Sequence, residues 1–226
     1  MKKQIVFIMV DSQSTDMLGC YNNPDIKTPY LDALSKESLT FDQAYTCQPV
    51  CGPARSAIFT GLYPHSNGAW TNCVSLYDNV KTIGQRLCDN RIQTAYIGKW
   101  HLDGGDYFGN GICPDGWDKE YWYDMRCYLE ELTPEERVKS RDGGLSKTGE
   151  VTEQFTFAHR CSDRAISYMK QHADDDFLPS PIEKVLRGKA PFFETYLNKS
   201  LLSSFSKKIP TASFLALTSF VKFSSP

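Results

Sequence analysis

The stretch Gln4-Ile5-Val6-Phe7-Ile8-Met9-Val10-Asp11 decides how the rest of the chain is read. Its apolar run, Ile5 to Val10, ends on a carboxylate. An unbroken apolar run of this length suits a strand covered on both faces, as in a parallel sheet packed between helices. Lys2 and Lys3 ahead of it resemble the opening of a secretory leader. A leader core takes roughly 7–15 apolar residues and a small-residue cleavage site, and Asp11 ends the run before that. The expectation is a buried first strand in a cytoplasmic protein.

Working outward, Arg91–Gly98 carries Ile92, Ala95, Tyr96 and Ile97 and reads as a second core strand. Between the two lie helical patterns. Thr28-Pro29 precedes Tyr30, Leu31, Leu34 and Leu39, with Pro29 suited to a first helical position. Pro53–Thr60 is a helix ended by Gly61, and Thr82–Asn90 is another, with Ile83 and Leu87 on its inner face. Phe41–Tyr45 fits a short strand, and Tyr121–Glu131 fits neither period cleanly. Thr152–His172 is a long amphipathic helix with Phe155, Ala158, Ala165, Ile166 and Met169 turned inward. Strands alternating with helices imply an α/β fold, a mostly parallel central sheet flanked by helices. Such sheets bind ligands beyond the carboxyl ends of their strands.

The composition, 41% hydrophobic and 23% charged over 226 residues, is that of a globular chain of one large or two small domains. A net charge of −2 gives no basic field to attract nucleic acid or an anionic membrane. No run approaches the roughly 18–20 apolar residues of a spanning helix. The cysteines, at 20, 47, 51, 73, 88, 113, 127 and 161, form no CxxC pair, which argues against a zinc ribbon or a thioredoxin-like motif. In a reducing compartment they are expected to be free thiols.

Charge is unevenly spread. Residues 178–226 hold seven Lys/Arg against Glu183 and Glu194, a net of +5; the remaining 18 basic and 25 acidic residues give −7. Residues 1–177 therefore read as one unit and 178–226 as a basic, serine-rich tail. Pro179 and Pro181 argue against a central strand there.

Three places can carry chemistry. Asp11 stands at the carboxyl end of the first strand, as a hard-cation ligand or as a turn cap. In Cys51-Gly-Pro-Ala-Arg-Ser-Ala-Ile-Phe-Thr-Gly61, Cys51 occupies the expected N-cap although cysteine caps poorly. Arg55 follows one turn later on the same face. A nucleophile at the positive end of a helix beside a guanidinium suits an oxyanion substrate; the alternative is a buried structural thiol. Gly98-Lys99-Trp100-His101-Leu102 ends the second strand. Extended geometry would aim Lys99 and His101 together and Trp100 away. A fixed cation beside an imidazole can hold an anion and move a proton, the alternative being a solvated lysine and a hydrogen-bonded histidine.

Together these residues resemble the N-terminal part of the sulfatase family, within the alkaline phosphatase-like superfamily. Cys51-x-Pro53-x-Arg55 with Thr60-Gly61 is similar to the family's first signature, and Gly98-Lys99-Trp100-His101-Leu102 to its second. Met9-Val10-Asp11, Leu18-Gly19-Cys20-Tyr21 and Thr28-Pro29-Tyr30-Leu31-Asp32 resemble its opening, so that the likeness covers about residues 4–177. The resemblance implies that Cys51 is oxidised to formylglycine by a maturation enzyme. It also implies that a divalent cation, usually calcium, polarises the hydrated aldehyde for attack on the sulfate sulfur. It makes Asp11 a metal ligand with Cys51, Arg55 the residue that holds the nucleophile, Lys99 the sulfate ligand, and His101 the group that orients or protonates around it. The implied substrate is a sulfate ester of a sugar or aryl alcohol.

The pattern departs from the family in three respects. Many sulfatases carry two adjacent acids after the first strand; here Ser12 and Gln13 follow Asp11 as the next candidate ligands. Relatives that cleave phosphonate monoesters and phosphodiesters have Asp-Gln there and an Asn after the nucleophile, a substrate-binding part that Asn72 could take. The chain also lacks the later family motifs, so the expectation is a truncated fold with a tail of unrelated or frameshifted origin. An inactive remnant is the remaining alternative.

Overall fold

The structure, a computed structural model, describes residues 5–11, 13–141, 153–172, 177–179, 182–185 and 213–215. Strand β1 runs over Ile5–Asp11 and β2 over Gln93–Ile97. Each is the middle strand of a three-stranded parallel group. Strand β1 lies between β5, Ile182–Val185, and β6, Ser213–Leu215. Strand β2 lies between β3, Trp122–Tyr123, and β4, Phe177–Pro179. Every pairing is parallel, with Asp11 opposite Val185 and Ile97 opposite Tyr123. The carboxyl ends of β1 and β2 thus carry Asp11 and the segment that begins at Gly98.

The helices are α1, Pro29–Lys36; α2, Cys51–Thr60; α3, Pro64–Asn67; α4, Ile83–Asp89; α5, Met125–Glu131; α6, Pro134–Arg141; and α7, Phe157–Gln171. Helix α2 stops at Gly61, whose φ of 71° is the left-handed conformation glycine adopts without strain. Helix α4 starts on a reciprocal capping box between Thr82 and Gln85.

Two packed regions flank the sheet. One joins Val6, Ala95, Ile97 and Tyr123 to Leu129 of α5 and to Phe157, Cys161, Ala165, Tyr168 and Met169 of α7. The other is aromatic: Phe59, Tyr96, Trp100, Trp117 and Trp122 meet with ring centroids 5.0 to 6.3 Å apart. Edge-to-face and offset contacts at these distances hold the start of the Gly98 segment against α2.

Several expectations are corrected. Residues 41–45 form no strand; Phe41 and Tyr45 are 56% and 89% exposed, with no strand among the described residues to complete a ladder. Leu39 is exposed because α1 ends at Lys36. Ile83 of α4 is exposed too, and the helix instead packs through Gly84, where an added Cβ would stand 2.6 Å from the Trp117 ring. Tyr121–Glu131 divides into β3 and α5 with Asp124 as the cap between them. Helix α7 begins at Phe157, and Thr152 lies outside the described residues. Ala165 and Met169 are buried as expected, while Phe155, Ala158 and Ile166 are half-buried. Short strands run over 177–179 and 182–185, each at the outside of its three-stranded group, which the reading of Pro179 and Pro181 against a central strand allows. Pro179 is the last residue of an outer strand of its group, a position where a missing N–H is tolerated; Pro181 lies outside the described residues.

Candidate active site

The site forms where β1, the start of α2 and the end of β2 converge. The Cys51 Sγ lies 3.8 and 3.9 Å from the two Asp11 carboxylate oxygens. The Lys99 Nζ lies 2.7 Å from Asp11 Oδ2. One carboxylate thus receives both the thiol and the ammonium. Burial raises the Asp11 carboxyl, but the Lys99 charge and hydrogen bond, with Arg55, outweigh it and hold the group below its ordinary value.

The Lys99 side chain is fully buried and its Nζ also sits 4.1 Å above the Tyr107 ring, a cation–π contact. Burial lowers its pKa, the nearby Arg55 lowers it further, and Asp11 opposes both. Arg55, itself buried, donates from NH1 to the Lys99 carbonyl at 2.9 Å. Tyr96 donates its hydroxyl to the same oxygen. The guanidinium one turn into α2 therefore fixes the backbone that carries Lys99.

Trp100 is buried in the aromatic region, and His101 lies on the Lys99 side, its ring 6.2 Å from that of Tyr107. The expected division of side chains is observed, but strand alternation does not produce it. Strand β2 ends at Ile97, and His101 has a φ of 58°, the left-handed region that non-glycine residues enter sparingly. His101 is buried, and its Nδ1 has no hydrogen-bond partner among the described residues. Burial, then the charges of Lys99 and Arg55, push its pKa down to about 4, so the imidazole is neutral at pH 7.

Cys51 is the first residue of α2, with Val50 at the N-cap, rather than the cap itself. Fewer helix-end donors are free than the sequence suggests. Gly52 N–H donates to Asn72 Oδ1 at 2.8 Å, and Pro53 has no N–H. Beside Cys51, Lys99 Nζ is therefore a better-placed positive group than the helix terminus. An added Cβ on Gly52 would meet Asn72 Oδ1 at 3.1 Å and the Thr71 carbonyl at 3.3 Å, so the 71–72 backbone packs directly on the turn that carries Cys51.

The structure brings Asp11, Cys51, Arg55, Lys99 and His101 together and sets Asn72 beside them. Ser12 lies outside the described residues. Gln13 is buried, and its Oε1 has no hydrogen-bond partner among the described residues. Among the described residues, the Asp11 carboxylate is the hard oxygen donor that the structure places beside Cys51, and Gln13 follows it by two residues in the chain. Among the described residues no group of three or more His, Cys, Asp or Glu could hold a metal. These side chains fit part of a calcium shell, which takes six to eight oxygens, and not all of it. Tyr96 and Tyr107 escape sequence reasoning. Tyr96 reads as plain strand core, and Tyr107 stands in the glycine-rich segment after His101 with no motif to mark it. No described helix is long and apolar enough to cross a membrane.

Comparison with known proteins agrees with this geometry. A sequence model of the Sulfatase family matches residues 3–193. The chain is 45% identical over 183 residues to the uncharacterized sulfatase YidJ of Escherichia coli K12, covering 78% of this chain and 37% of that protein. It is 32% identical over 138 residues to an N-acetylglucosamine-6-O-sulfatase of Bacteroides thetaiotaomicron, covering 58% of this chain and 25% of that one. Among solved structures, a phosphonate monoester hydrolase of Agrobacterium radiobacter superposes with a TM-score of 0.56 at 16% identity, over 80% of this chain and 40% of that one, a likeness of fold alone. The chain thus spans well under half the length of each of these relatives. With the cysteine signature at the head of α2, the lysine–histidine segment at the end of β2 and the matched family model, the chain belongs to the sulfatase family.

Proposed function

We propose that this chain carries the nucleophile half of a hydrolase that cleaves sulfate esters of carbohydrates, with Cys51 as the residue a maturation enzyme converts to formylglycine. The observation that carries the reading is the shared carboxylate: Asp11 lies 3.8 Å from Cys51 Sγ and 2.7 Å from Lys99 Nζ. A nucleophile and a fixed cation on one acidic anchor suit a tetrahedral anion such as a sulfate ester. Asp11 and Gln13 would hold a divalent cation, calcium by resemblance, and that ion would supply Lewis-acid charge at the sulfate oxygens.

Each side chain then has a task. Lys99 binds a sulfate oxygen as a point charge whose direction Arg55 and Tyr96 fix through its carbonyl. The neutral His101 offers an unpaired ring nitrogen to the nucleophile and orients it, accepting a proton rather than bringing one at pH 7. Asn72 holds the turn that carries Cys51 through Gly52. The similarity to an N-acetylglucosamine-6-O-sulfatase supports a sugar as the alcohol.

A second reading, hydrolysis of phosphonate monoesters or phosphodiesters, is favoured by Ser12-Gln13 in place of a second acid and by Asn72 at the nucleophile's turn. One assay separates the readings. The chain, co-produced with a maturation enzyme and supplied with calcium, is expected to release sulfate from sulfated sugars faster than it cleaves a phenyl phosphonate. Cys51→Ala should abolish the release and Cys47→Ala should not. Preference for the phosphonate would establish the second reading. No turnover of either ester would leave an anion-binding remnant.

A further inference from the structure

The chain has four tryptophans, and three of them, Trp100, Trp117 and Trp122, are buried in the aromatic region. Trp70 is 60% exposed. Its place in the chain gives that exposure meaning. The loop that carries it is tied to both ends of α2. At one end, the fully buried Asn67 donates from Nδ2 to Ser56 Oγ at 2.9 Å, Thr60 Oγ1 at 3.2 Å and the Leu62 carbonyl at 3.2 Å, and accepts from Ala69 N–H at 3.0 Å. At the other end, Asn72 accepts from Gly52 N–H, next to Cys51. Between them the Trp70 carbonyl accepts from Gln48 Nε2 at 3.0 Å, joining the loop to the segment that leads into α2. The backbone under the indole is therefore held two residues from a direct contact with the nucleophile's turn.

We propose that Trp70, on the loop that Gln48 and Asn72 tie to the Cys51 turn, is the platform for the sugar ring that bears the sulfate ester. The inference rests on the sulfate-ester reading above and specifies its alcohol. A pyranose has an apolar C–H face that suits an indole and equatorial hydroxyls that need amide partners. Gln48 Nε2 and Asn72 Oδ1 are engaged with backbone, which leaves Gln48 Oε1 as an acceptor and the Asn72 amide N–H groups as donors at the rim. An aryl group would want a closed apolar slot instead of this mixed surface. The tied loop also pre-orders the platform, so little entropy is lost when a ring settles on it.

Two measurements test this. In the first, acrylamide quenching of tryptophan emission is followed in Cys51→Ala, which can bind without turnover. The quenchable signal should come from Trp70, vanish in Cys51→Ala/Trp70→Phe, and be protected by glucosamine 6-sulfate but not by inorganic sulfate. In the second, Trp70→Ala in the matured chain should lower kcat/KM for glucosamine 6-sulfate about tenfold, mainly through KM, while inhibition by inorganic sulfate stays the same. Trp70→Phe should keep most of the activity. Absence of protection, equal loss toward sugar sulfate and inorganic sulfate, or a larger loss with 4-nitrophenyl sulfate than with the sugar would each overturn the platform. If the matured parent chain hydrolyses no sulfate ester, the parent reading fails, and the quenching measurement still decides the platform by itself.

Discussion

Two charged clusters in this molecule use similar residues for different ends. On the α5–α7 face, Glu131 receives Arg160 at 2.9 Å, Arg164, and the Tyr123 hydroxyl at 2.9 Å. The three charged side chains are a quarter to two-fifths exposed, and both carboxylate oxygens are used. Arg164 also stacks 3.9 Å from the Tyr123 ring centroid. At the strand ends, Lys99 and Asp11 form a pair with exposures of 0% and 15%, beside a buried imidazole in a left-handed conformation with an unused ring nitrogen. The first cluster is satisfied and partly wet, and it clamps two helices. The second buries the ammonium completely and the carboxylate mostly, and keeps polar capacity in reserve. Such arrangements persist where chemistry needs them, because a buried ion pair is poor value for stability.

Breaking each cluster should therefore have unequal consequences. The largest effect is expected for Lys99→Met, which strands the Asp11 carboxylate and should cost about 3–5 kcal/mol by urea unfolding as well as sulfate release. Adding Asp11→Asn should recover much of that stability and none of the activity, a coupling that a double-mutant cycle reads. A fully additive cycle would mean that the two side chains do not act as a pair.

His101 should give the next largest effect, and it depends on pH. Its pKa falls from 6.5 to about 4 on folding. The folded state then binds fewer protons than the unfolded chain. Its contribution is fully present above pH 6.5 and is lost as pH falls through about 4, on the order of 3 kcal/mol in all. Asp11, held below its ordinary value, stays charged through most of this window. His101→Asn removes the titration while tolerating the positive φ, so its unfolding midpoint should vary less between pH 7 and pH 4.5. An unchanged pH profile would count against a neutral, buried imidazole. The smallest effect belongs to the exposed clamp: Glu131→Gln should cost about 1 kcal/mol, less at high salt, with sulfate release retained.

Much of this was legible in the sequence. The apolar run ending at Asp11 and the segment Gly98–Leu102 announced two strand ends, and Cys51, Arg55, Lys99 and His101 do converge there. What escaped notice depends on tertiary partners. Phe41–Tyr45 has the composition of a strand but, among the described residues, no strand to pair with, and Ile83 yields the inner face of α4 to Gly84 because Trp117 needs the space. Strand alternation predicts the common direction of Lys99 and His101, yet a left-handed turn produces it. Strands β4, β5 and β6 are only three or four residues long, and a parallel pairing made across more than eighty residues leaves no local period to read. The burden on Tyr107 and the exposure of Trp70 follow from loop geometry, which no pattern in the sequence encodes.

The proposed function makes the strand-end cluster the place where one cysteine, Cys51, is matured and used. Peptide mapping by mass spectrometry, after co-expression with a formylglycine-generating enzyme, reads that directly. Cys51 should lose its sulfur and gain a carbonyl that hydrazine reagents label, while Cys47 and Cys73, both exposed on nearby segments, keep their thiols. An intact Cys51 thiol under those conditions, or conversion at another cysteine, would contradict the account.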